Sequence, residues 1–566
     1  MSAAPVVVLD LGGTWMKGAA ASAEAGRCGA PSREGRRPNP LAEARDAAEF
    51  AAAVADFCRE LTGGIAPAAV VAATAGEVDA AGKGYLCAGA HLGVMGTAPW
   101  VEALAGLLGC PVTLINDAEA FLLGAAERGL VPADRNVGAL VIGTGLGFAM
   151  TRLGRWWKPS RRLLHFGGTE TPVGDYNYLL SAVRATGDGV FAENGPARSK
   201  YIDALLEAVV TATHLFHLDT VLLGGGAVDA ARVGGLDLVA AVGEHLERRL
   251  LPGYRRPHLI AVEGGNRAIL EGGLALAAGN QAAEAARYTK KFGALATERT
   301  ADGPGIETFP PQEIALRLAQ AEAAAAERFC ASAPALARGA EAVVAAIRAG
   351  GRVVYLGAGT SGRVGALDAV EIPCTYGLAP DRFVAVIAGG VADAGFTIED
   401  QFEEDTSSAG DLILLGLQPC DVVVGISASG TAFFVRSGLA FARARGAKTL
   451  LIHEAELESD GLADFSIRLE SGTELVAGST RMKAGTATKK ALNVLSTTAM
   501  ILFGKVRGGE MIDLDCCNAK LRERATRILG RLGGLSADEA AAVLARNDYQ
   551  LRAALEALDG SAAAGR

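Results

Sequence analysis

The sequence predicts an α/β protein in two halves followed by a helical tail, and three observations support this class. Short apolar runs that end in glycine-rich turns alternate with helical patterns along most of the 566 residues. A chain of this length holds about three domains, at roughly 100–200 residues per domain. The stretch 281–311 is polar with scattered Gly and Pro, and the segment after residue 517 is charged and helical in pattern. We therefore expect domains at 1–283, 284–515 and 516–566.

Ten apolar runs are predicted to be strands, five in each half. In the first half they are Val6–Leu11, Ala69–Ala73, Val112–Ile115, Gly138–Gly143 and Thr220–Leu223. In the second half they are Arg352–Leu356, Arg382–Ile387, Asp421–Ser427, Ala447–Ile452 and Phe465–Leu469. The two halves therefore repeat one layout with different details.

The composition argues against several function classes. The chain is 50% hydrophobic and 21% charged, as in a soluble globular protein. Its net charge of −9 gives no indication of the basic face that nucleic-acid-binding proteins show. No apolar run reaches the ~18 residues of a membrane span, and the nine cysteines include no CxxC pair. The first residues, MSAAPVVVLDLGG, fit a strand rather than a secretory signal, so we expect a cytoplasmic protein with reduced thiols.

Three glycine-rich turns follow predicted strands of the first half. Such turns can offer backbone N–H groups and a hydroxyl to a polyphosphate, and the carboxylate of Asp10 would lie near its Mg²⁺. One such turn is weak support for a phosphate site, but several in this order and spacing are much stronger. The predicted residues are Asp10, Gly12, Gly13, Thr14, Gly143, Thr144, Gly145, Gly224, Gly225 and Gly226.

The order of these pieces resembles the sugar kinases of the hexokinase–actin superfamily, and within it the ROK family, over about residues 5–280. The matching segments are LDLGGTWMKGA, ATAGEVD, LINDAEAFLLGA, VIGTGLG, VLLGGGAV and LEGGLALA. The resemblance implies an actin-like (ribonuclease H-like) fold, with ATP and Mg²⁺ as cofactors. It makes Asp117 the general base for the sugar hydroxyl, with Asn116 and Glu170 holding other hydroxyls. Phosphoryl transfer does need a base near the accepting hydroxyl. Asp117 is alternatively the N-cap of a helix, and the two roles can coexist.

One segment departs from that family. ROK proteins mostly carry a Cys-rich zinc motif with a nearby His after the second phosphate turn, whereas the segment 165–181 contains no Cys. Three soft or imidazole ligands cannot be assembled there, so we expect no zinc and a packing or surface role for His165. The departure leaves open which sugar this half accepts.

Three hydroxyl-rich runs of the second half favour a monophosphate ligand. The first, at 355–363, combines a strand, a glycine-rich turn and a helix whose dipole favours an anion. The second lies at 425–431, and the third, at 477–486, adds two cations. Two Ser/Thr-rich turns without a Walker lysine suit a monophosphate better than a nucleoside triphosphate. The predicted binding residues are Gly359, Thr360, Ser361, Ser427, Ser429, Thr431, Ser479, Thr480 and Lys483.

Carboxylates must supply the acid–base chemistry of the second half, because it contains one histidine, His453. Glu371 lies one helix length after the first hydroxyl turn, and Glu399 lies nine residues after Gly390. Both could stand over the middle of a sugar ring, one as acid and one as base. By spacing alone, Glu399 is one more surface carboxylate of the acidic run 399–405.

Residues 290–566 resemble the N-acetylmuramic acid 6-phosphate etherases, which are sugar isomerase (SIS) fold proteins related to glucokinase regulatory protein. The long matching segments are GAGTSGRVGALDAVEIPCTYG, DVVVGISASGTAFFV, ELVAGSTRMKAGTATKKALNVLST and GGEMIDLDCCNAKL. The resemblance implies a doubly wound α/β domain with a small helical cap, a homodimer, and cofactor-free release of D-lactate from the sugar phosphate. It makes Glu371 the proton donor to the departing ether oxygen and Glu399 the base for the C2 proton, although DQFEED after Glu399 departs from the usual small residues.

The two resemblances together predict consecutive steps on one chain, in the recycling of cell-wall amino sugar. The first half would phosphorylate N-acetylmuramic acid at O6, and the second would convert the product to N-acetylglucosamine 6-phosphate and D-lactate. The kinase substrate is inferred from the neighbouring half. Two alternatives stay open: a kinase for another hexose or N-acetylglucosamine joined to the etherase, and a SIS half that senses a sugar phosphate and regulates the kinase. The presence of both Glu371 and Glu399 favours an enzyme.

Overall fold

A computed structural model describes most of the chain as two compact units. The first unit comprises Met1–Arg287 together with Ala388–Leu417, and the second comprises Tyr288–Ile387 together with Gln418–Arg566. Within these spans, the described residues are 4–12, 14–24, 27–78, 85–87, 95, 100–142, 146–152, 155–156, 196–286, 298–389, 407–455, 461–514, 516 and 518–564.

Thirteen strands and seven helices are described before residue 287. The strands are β1 (Pro5–Leu11), β2 (Trp15–Glu24), β3 (Arg27–Cys28), β4 (Arg33–Pro38), β5 (Ala69–Thr74), β6 (Glu77–Val78), β7 (Tyr85–Cys87), β8 (Val112–Asn116), β9 (Val137–Ile142), β10 (Leu146–Arg152), β11 (Arg155–Trp156), β12 (Thr220–Gly224) and β13 (His258–Ala261). The helices are α1 (Ala47–Thr62), α2 (Trp100–Leu108), α3 (Asp117–Glu127), α4 (Pro196–Phe216), α5 (Gly226–Val233), α6 (Leu238–Arg249) and α7 (Gly265–Ala285).

The remaining described residues form seven strands and nine helices. The strands are β14 (Val353–Gly357), β15 (Phe383–Ile387), β16 (Val422–Ile426), β17 (Lys448–His453), β18 (Phe465–Arg468), β19 (Val506–Arg507) and β20 (Glu510–Met511). The helices are α8 (Pro311–Phe329), α9 (Ala333–Arg348), α10 (Gly359–Tyr376), α11 (Ala409–Leu414), α12 (Phe433–Ala444), α13 (Lys483–Leu502), α14 (Ala519–Gly533), α15 (Ala537–Arg546) and α16 (Leu551–Ala564).

The first unit contains two larger sheets that repeat one pattern. In the first sheet, β1 pairs antiparallel with β2 and parallel with β5, which pairs parallel with β8. In the second, β9 pairs antiparallel with β10 and parallel with β12, which pairs parallel with β13. A hairpin extended by two parallel strands therefore occurs twice, as the actin-like fold requires. The sequence predicted the parallel strands but not the hairpin partners β2 and β10, of which β2 is rich in small residues.

Each of these sheets has its own apolar core. Phe50 and Phe57 of α1 and Trp100 of α2 are fully buried against the first sheet. Helices α4 and α6 supply the core of the second, through side chains such as Leu205 and Leu246. The two cores hold the carboxyl ends of the parallel strands in fixed positions.

The short helix α11 belongs to the first unit, although the sequence placed its residues in the middle domain. It packs on α3 and α7, and its Ala409, Leu412 and Leu414 are completely buried. Its sequence, AGDLIL, has one charged residue, so nearly every face is apolar. Burial of this apolar surface is the physical reason why α11 groups with the first unit. The expected boundaries at 283 and 515 stay predictions.

The second unit is built on a parallel sheet in the order β15-β14-β16-β17-β18. All five strands are the predicted ones, within a residue or two at each end. The chain runs from β14 to β15 on one side and then crosses to β16 on the other, which is the doubly wound arrangement. Helices α9, α10 and α13 contribute the core with Val343, Ile372 and Leu495. The last three helices, α14 to α16, form a separate small core around Ile528, Leu544 and Leu555.

One helical stretch, Pro311–Arg348, is long and apolar enough to cross a membrane by length and composition. It consists of α8 and α9, and 44% of its most apolar window is buried within the protein. Core helices pass the same test, so one such stretch is weak support for a membrane span.

Candidate active sites

The first candidate site lies at the carboxyl ends of β1, β5 and β8, which are in register. Leu11 is paired with Thr74, and Thr74 with Asn116. Asp10 is buried near the end of β1 and faces Lys17, its cross-strand partner on β2, with 3.7 Å between Oδ2 and Nζ. Burial raises the pKa of Asp10, and Lys17 opposes that shift. Lys17 could not be singled out from the sequence, because its position opposite Asp10 depends on the hairpin register.

The turn after β1 is held open by a side chain from another part of the chain. Asn39 donates from Nδ2 to the carbonyl of Gly12 at 2.6 Å, and its N–H donates to the carbonyl of Thr14 at 3.0 Å. Asn39 is itself buried, whereas Thr14 is exposed. Asn39 thus fixes the backbone on both sides of this turn, and Thr14 is accessible to a ligand. No sequence motif marks Asn39.

Asn116 and Asp117 lie where β8 becomes α3. Asn116 is the N-cap, because its Oδ1 accepts from the N–H groups of Ala118 and Glu119. Its Nδ2 also donates to the carbonyl of Gly76 at 2.9 Å. Asp117 is the first residue of the helix and accepts from the N–H of Ala118 at 2.8 Å. The expected N-cap role therefore falls to Asn116, which leaves the Asp117 carboxylate free for another role.

The carboxyl group of Asp117 has the electrostatics of a general base. Burial, followed by the negative charge of Asp10, raises its pKa to about 7, against hydrogen bonding from Ala118. A Cβ built on Gly147 of β10 would lie 3.3 Å from Asp117 Oδ1, so glycine there keeps β10 close to the carboxylate. A base whose pKa lies near the operating pH is efficient in proton transfer.

The turn at Gly224–Gly226 is shaped by close packing. A Cβ on Gly224 would collide with the ring of Phe121 in α3, and one on Gly225 would lie 2.4 Å from the carbonyl O of Ile142. Gly225 also has φ of 95°, a conformation that favours glycine. This turn therefore abuts the end of β9, where the second predicted phosphate turn begins.

Four predicted residues, Gly13 and Gly143–Gly145, lie outside the described residues, as do Glu170 and the segment 165–181. In the described part of the chain, no group of three or more His, Cys, Asp or Glu side chains could hold a metal ion.

The second candidate site lies at the carboxyl edge of the sheet in the second unit. Gly357, the last residue of β14, is paired with Ile426, the last residue of β16. The two hydroxyl turns therefore start side by side at the point where the strand order reverses, which is where doubly wound sheets bind ligands. Gly359 has φ of 50° and begins α10, with Thr360 and Ser361 following in its first turn.

The hydroxyls of the second turn are arranged by bonds among themselves. Ser427 Oγ accepts from the N–H of Gly430 at 3.0 Å, and the hydroxyls of Ser429 and Thr431 are 2.7 Å apart. Arg436, buried in α12, donates to the carbonyl of Gly430 at 3.2 Å. The turn is thus preorganised before any ligand binds.

The third run lies against the first turn, but its lysine is turned inward. A Cβ on Gly485 would lie 3.4 Å from the carbonyl O of Thr480 and 3.7 Å from Cγ2 of Thr360. Lys483 is buried, and its Nζ donates to the carbonyl of Thr473. Burial lowers the pKa of Lys483, and the nearby carboxylate of Glu474 opposes this. The sequence predicted a ligand contact for Lys483, whereas its ammonium is bonded within the protein.

Glu371 lies on the exposed side of α10, with its side chain 57% exposed. Its Oε2 is 3.4 Å from Nζ of Lys489 on α13, and the same ammonium is 3.8 Å from Oδ1 of Asp368. Asp368 is buried, accepts from the hydroxyl of Tyr355 at 2.7 Å, and has a pKa raised by that burial. Lys489 and Asp368 were not singled out from the sequence, because only the packing of α10 on α13 brings them to Glu371.

Glu371 is distant from the hydroxyl turn of its own helix. It lies twelve residues after Gly359, which is about 18 Å along a helix at 1.5 Å per residue. The structure therefore brings the three hydroxyl runs together, whereas Glu371 lies about three helical turns along α10 from the first of them. Glu399, the other predicted catalytic carboxylate, lies outside the described residues.

Two family models match this chain. Residues 6–160 match the ROK family, and residues 335–443 match the N-terminal SIS domain of glucokinase regulatory protein. The chain thus has a ROK domain at its N-terminus and a SIS domain in its C-terminal half, as the sequence predicted.

Several relatives have the second half in common with this chain. N-acetylmuramic acid 6-phosphate etherase of Rubrobacter xylanophilus is 41% identical over 273 residues, which cover 48% of this chain and 90% of the relative. The protein of the same name from Geobacillus thermodenitrificans is 46% identical over 200 residues, covering 35% of this chain and 68% of the relative.

Solved structures similar to this chain include two sugar kinases. A ROK family glucokinase from Streptomyces griseus, solved with glucose and AMPPNP, is 19% identical with a TM-score of 0.39, covering 48% of this chain and 99% of that one. An inorganic polyphosphate/ATP-glucomannokinase from an Arthrobacter strain is 23% identical with a TM-score of 0.37, covering 49% and 99%.

The etherases of Rubrobacter xylanophilus and Salmonella paratyphi A are 41% and 38% identical to this chain and match over 90% and 94% of their own length. The chain is therefore an enzyme of the N-acetylmuramic acid 6-phosphate etherase family, with a ROK family domain joined at its N-terminus.

Proposed function

We propose that this chain catalyses two consecutive steps, the phosphorylation of N-acetylmuramic acid at O6 and the etherase cleavage of the product. The observation that carries the first step is Asp117, a carboxyl group of raised pKa beside Asp10 at the end of a parallel sheet. The second step is supported by membership of the etherase family, by the hydroxyl turns at the carboxyl edge of the sheet in the second unit, and by Glu371.

In the first step, Asp117 accepts the proton of the 6-hydroxyl. The hydroxyl oxygen bonds to the γ-phosphorus of ATP, the bond from that phosphorus to ADP breaks, and the proton moves to the carboxylate. The amide of Asn116 is bonded to the start of α3 through Oδ1 and to Gly76 through one N–H of Nδ2. The second N–H of Nδ2 is left to orient the sugar beside the base. In this proposal, Glu170 is one of the residues that bind the other hydroxyls of the sugar.

The residues at the end of β1 fit Mg²⁺ bound with ATP. The available donors are oxygens, namely the Asp10 carboxylate and the Thr14 hydroxyl, which this cation prefers. Asp10 and Asp117 repel each other, and Lys17 offsets their charge from one side at 3.7 Å from Asp10. When bound there, the cation supplies neutralisation of the phosphate charge. The glycine turns at 12–13, 143–145 and 224–226 would hold the phosphates through backbone N–H groups.

In the second step, two glutamates move protons at adjacent carbons of the open-chain sugar. Glu399 takes the proton from C2, which the C1 aldehyde acidifies, while Glu371 gives a proton to the ether oxygen at C3 and D-lactate leaves. Water then adds its hydroxyl at C3 and a proton returns to C2. The sum is N-acetylmuramic acid 6-phosphate plus water giving N-acetylglucosamine 6-phosphate plus D-lactate, with no redox change.

The etherase site is proposed to lie between two copies of the chain. The ~18 Å along α10 exceed the size of one sugar, so a substrate on the hydroxyl turn of one copy would meet Glu371 of a second copy. Exposed apolar residues beside Glu371, namely Leu367 and Val370 of α10, suit such an interface. We propose a cytoplasmic homodimer with domains at 1–283, 284–515 and 516–566.

Separate assays test the two halves of this proposal. N-acetylmuramic acid with ATP and Mg²⁺ should yield ADP, and N-acetylglucosamine and glucose tested alongside should react at least tenfold more slowly. Preformed N-acetylmuramic acid 6-phosphate should release D-lactate without ATP. A faster reaction with glucose would point to a different kinase substrate, and tight binding of the sugar phosphate without lactate release would point to a sensor.

A further inference from the structure

A cation that faces the ligand would strengthen phosphate binding at the carboxyl edge of the sheet in the second unit. A sugar 6-phosphate carries about two negative charges near neutral pH, and hydroxyls and backbone N–H groups neutralise neither. The third hydroxyl run, 477–486, holds two cations, Arg481 and Lys483. The structure distinguishes them clearly.

Lys483 is committed to the protein interior. Only 6% of the residue is exposed, and its ammonium donates to the carbonyl of Thr473. It also lies among the buried carboxylates of Glu474 and Glu454, whose charges interact with it. The bond to Thr473 and the two neighbouring carboxylates hold this ammonium on the inner side of the run.

The start of α13 is also occupied. Glu474, which is 4% exposed, accepts from the N–H of Lys483 at 3.3 Å and from the N–H of Ala484 at 3.0 Å. A carboxylate thus takes the place at this helix end that an anionic ligand would otherwise fill. The positive end of the helix dipole is already compensated.

Arg481 differs from Lys483 in being exposed. Within the described ranges, no hydrogen bond or ion pair involves it. It directly follows Thr480, whose carbonyl accepts from the N–H of Gly485 at 2.8 Å. Gly485 in turn lies beside the methyl group of Thr360 in the first hydroxyl turn. The backbone of Arg481 therefore lies next to the point where the first turn and the third run meet.

We propose that Arg481 is the residue that binds the phosphate group of the sugar phosphate, and that Lys483 instead positions the run that carries Arg481. This assignment rests on the proposed etherase function, and it specifies which cation of the site contacts substrate. A planar guanidinium suits this role, because two of its N–H groups can bond two phosphate oxygens at once.

The test uses the full-length chain with Arg481→Ala and Arg481→Lys. For D-lactate release from N-acetylmuramic acid 6-phosphate, Arg481→Ala should raise KM about tenfold to a hundredfold with kcat changed less than threefold. Arg481→Lys should recover part of that loss. The inhibition constant of inorganic phosphate should rise in parallel, because this probe has only the phosphate group in common with the substrate. Arg338→Ala, which removes an exposed arginine of α9, is the matched control and should leave both constants unchanged.

The outcomes separate this inference from the proposed function. If the unchanged enzyme releases no lactate, calorimetric binding of N-acetylglucosamine 6-phosphate still tests Arg481: the inference predicts at least tenfold weaker binding to Arg481→Ala. A KM and a phosphate inhibition constant like those of the unchanged enzyme would overturn the inference. So would a fall in kcat at constant KM, since this would place Arg481 at the reacting carbons.

Discussion

The ammonium of Lys489 lies 3.4 Å from Oε2 of Glu371 and ties the exposed glutamate of α10 to α13. Through the same ammonium, Glu371 is linked to the buried pair Asp368 and Tyr355. An exposed side chain of this length otherwise samples many rotamers, and an acid must be within hydrogen-bond reach of its acceptor. We infer that Lys489 is a positioning residue for Glu371.

Replacing this lysine should therefore lower the etherase rate more than substrate affinity. For Lys489→Met we expect kcat for lactate release to fall about tenfold, with KM for the sugar phosphate changed less than threefold. Lys489→Arg should recover most of the rate. Equal rates for Lys489→Met and the unchanged enzyme would show that the ion pair does not position Glu371.

Removing the carboxyl group of Glu371 should abolish the second activity alone. We expect Glu371→Gln to lower lactate release by 10²- to 10⁴-fold, the usual contribution of a general acid or base. ADP formation with N-acetylmuramic acid should stay within twofold of the unchanged enzyme. Glu341→Gln, at an exposed glutamate of α9, is the control. Comparable lactate release by Glu371→Gln and this control would contradict the assignment.

The raised pKa of Asp117 predicts the pH dependence of the kinase. With a pKa of about 7, the carboxyl group is protonated and inactive as a base below that pH. The value of kcat/KM for ADP formation should therefore rise with pH through about 7 and level off near 8. Asp117→Asn should remove the activity at every pH while leaving lactate release intact. If kcat/KM instead rose with pH near pH 4, the ordinary range of aspartate, burial would not determine the pKa of Asp117.

The raised pKa of Asp117 also predicts that the stability of the fold decreases as the pH rises. Between about pH 4 and pH 7, folded Asp117 keeps its proton while the unfolded chain loses it, so stability falls as the pH rises. Asp117→Asn removes this penalty. We expect the melting temperature of Asp117→Asn, relative to the unchanged chain, to be higher at pH 8 than at pH 5. A difference that does not vary with pH would contradict the coupling.

Helix α11 should contribute measurably to the stability of the first unit. Leu412 is completely buried where α11 packs on α3 and α7. Truncation to alanine should cost about 2–5 kcal/mol, the range for a buried leucine. Leu251→Ala, at a leucine of the same unit that is 57% exposed, should change the melting temperature little. Equal melting temperatures for the two variants would show that α11 is not held in this position.

The sequence predicted the structure best where strands end in turns rich in glycine or hydroxyl residues. Every predicted strand is present, and the turns at Asp10, Gly224, Gly359 and Ser427 stand at the carboxyl ends of parallel strands. Apolar runs followed by glycine or hydroxyl residues carry this information locally. The sequence could not predict that α11 packs in the first unit. Which surface an apolar helix covers depends on elements that are distant in the sequence, here α3 and α7.

The supporting residues of the sites could not be predicted for a related reason. Lys17 faces Asp10 only through the register of β1 and β2, and Lys489 meets Glu371 only because α13 packs on α10. The inward orientation of Lys483 depends on Glu474 occupying the start of α13. Composition and spacing describe one segment at a time, whereas these relationships join segments that are distant in sequence. The roles predicted for Glu399, Glu170, Gly13 and Gly143–Gly145 remain predictions, because these residues lie outside the described part of the chain.

One chain is proposed to perform both steps in a fixed order, and D-lactate release from unphosphorylated N-acetylmuramic acid is the most direct test of this. The purified full-length chain is incubated with this sugar and Mg²⁺, with and without ATP, and D-lactate is measured over time. We expect lactate only in the presence of ATP, and none with ATP when Asp117→Asn replaces the unchanged chain. Lactate without ATP would contradict the order of the steps, and its absence in both samples would contradict the claim that the kinase half acts on this sugar.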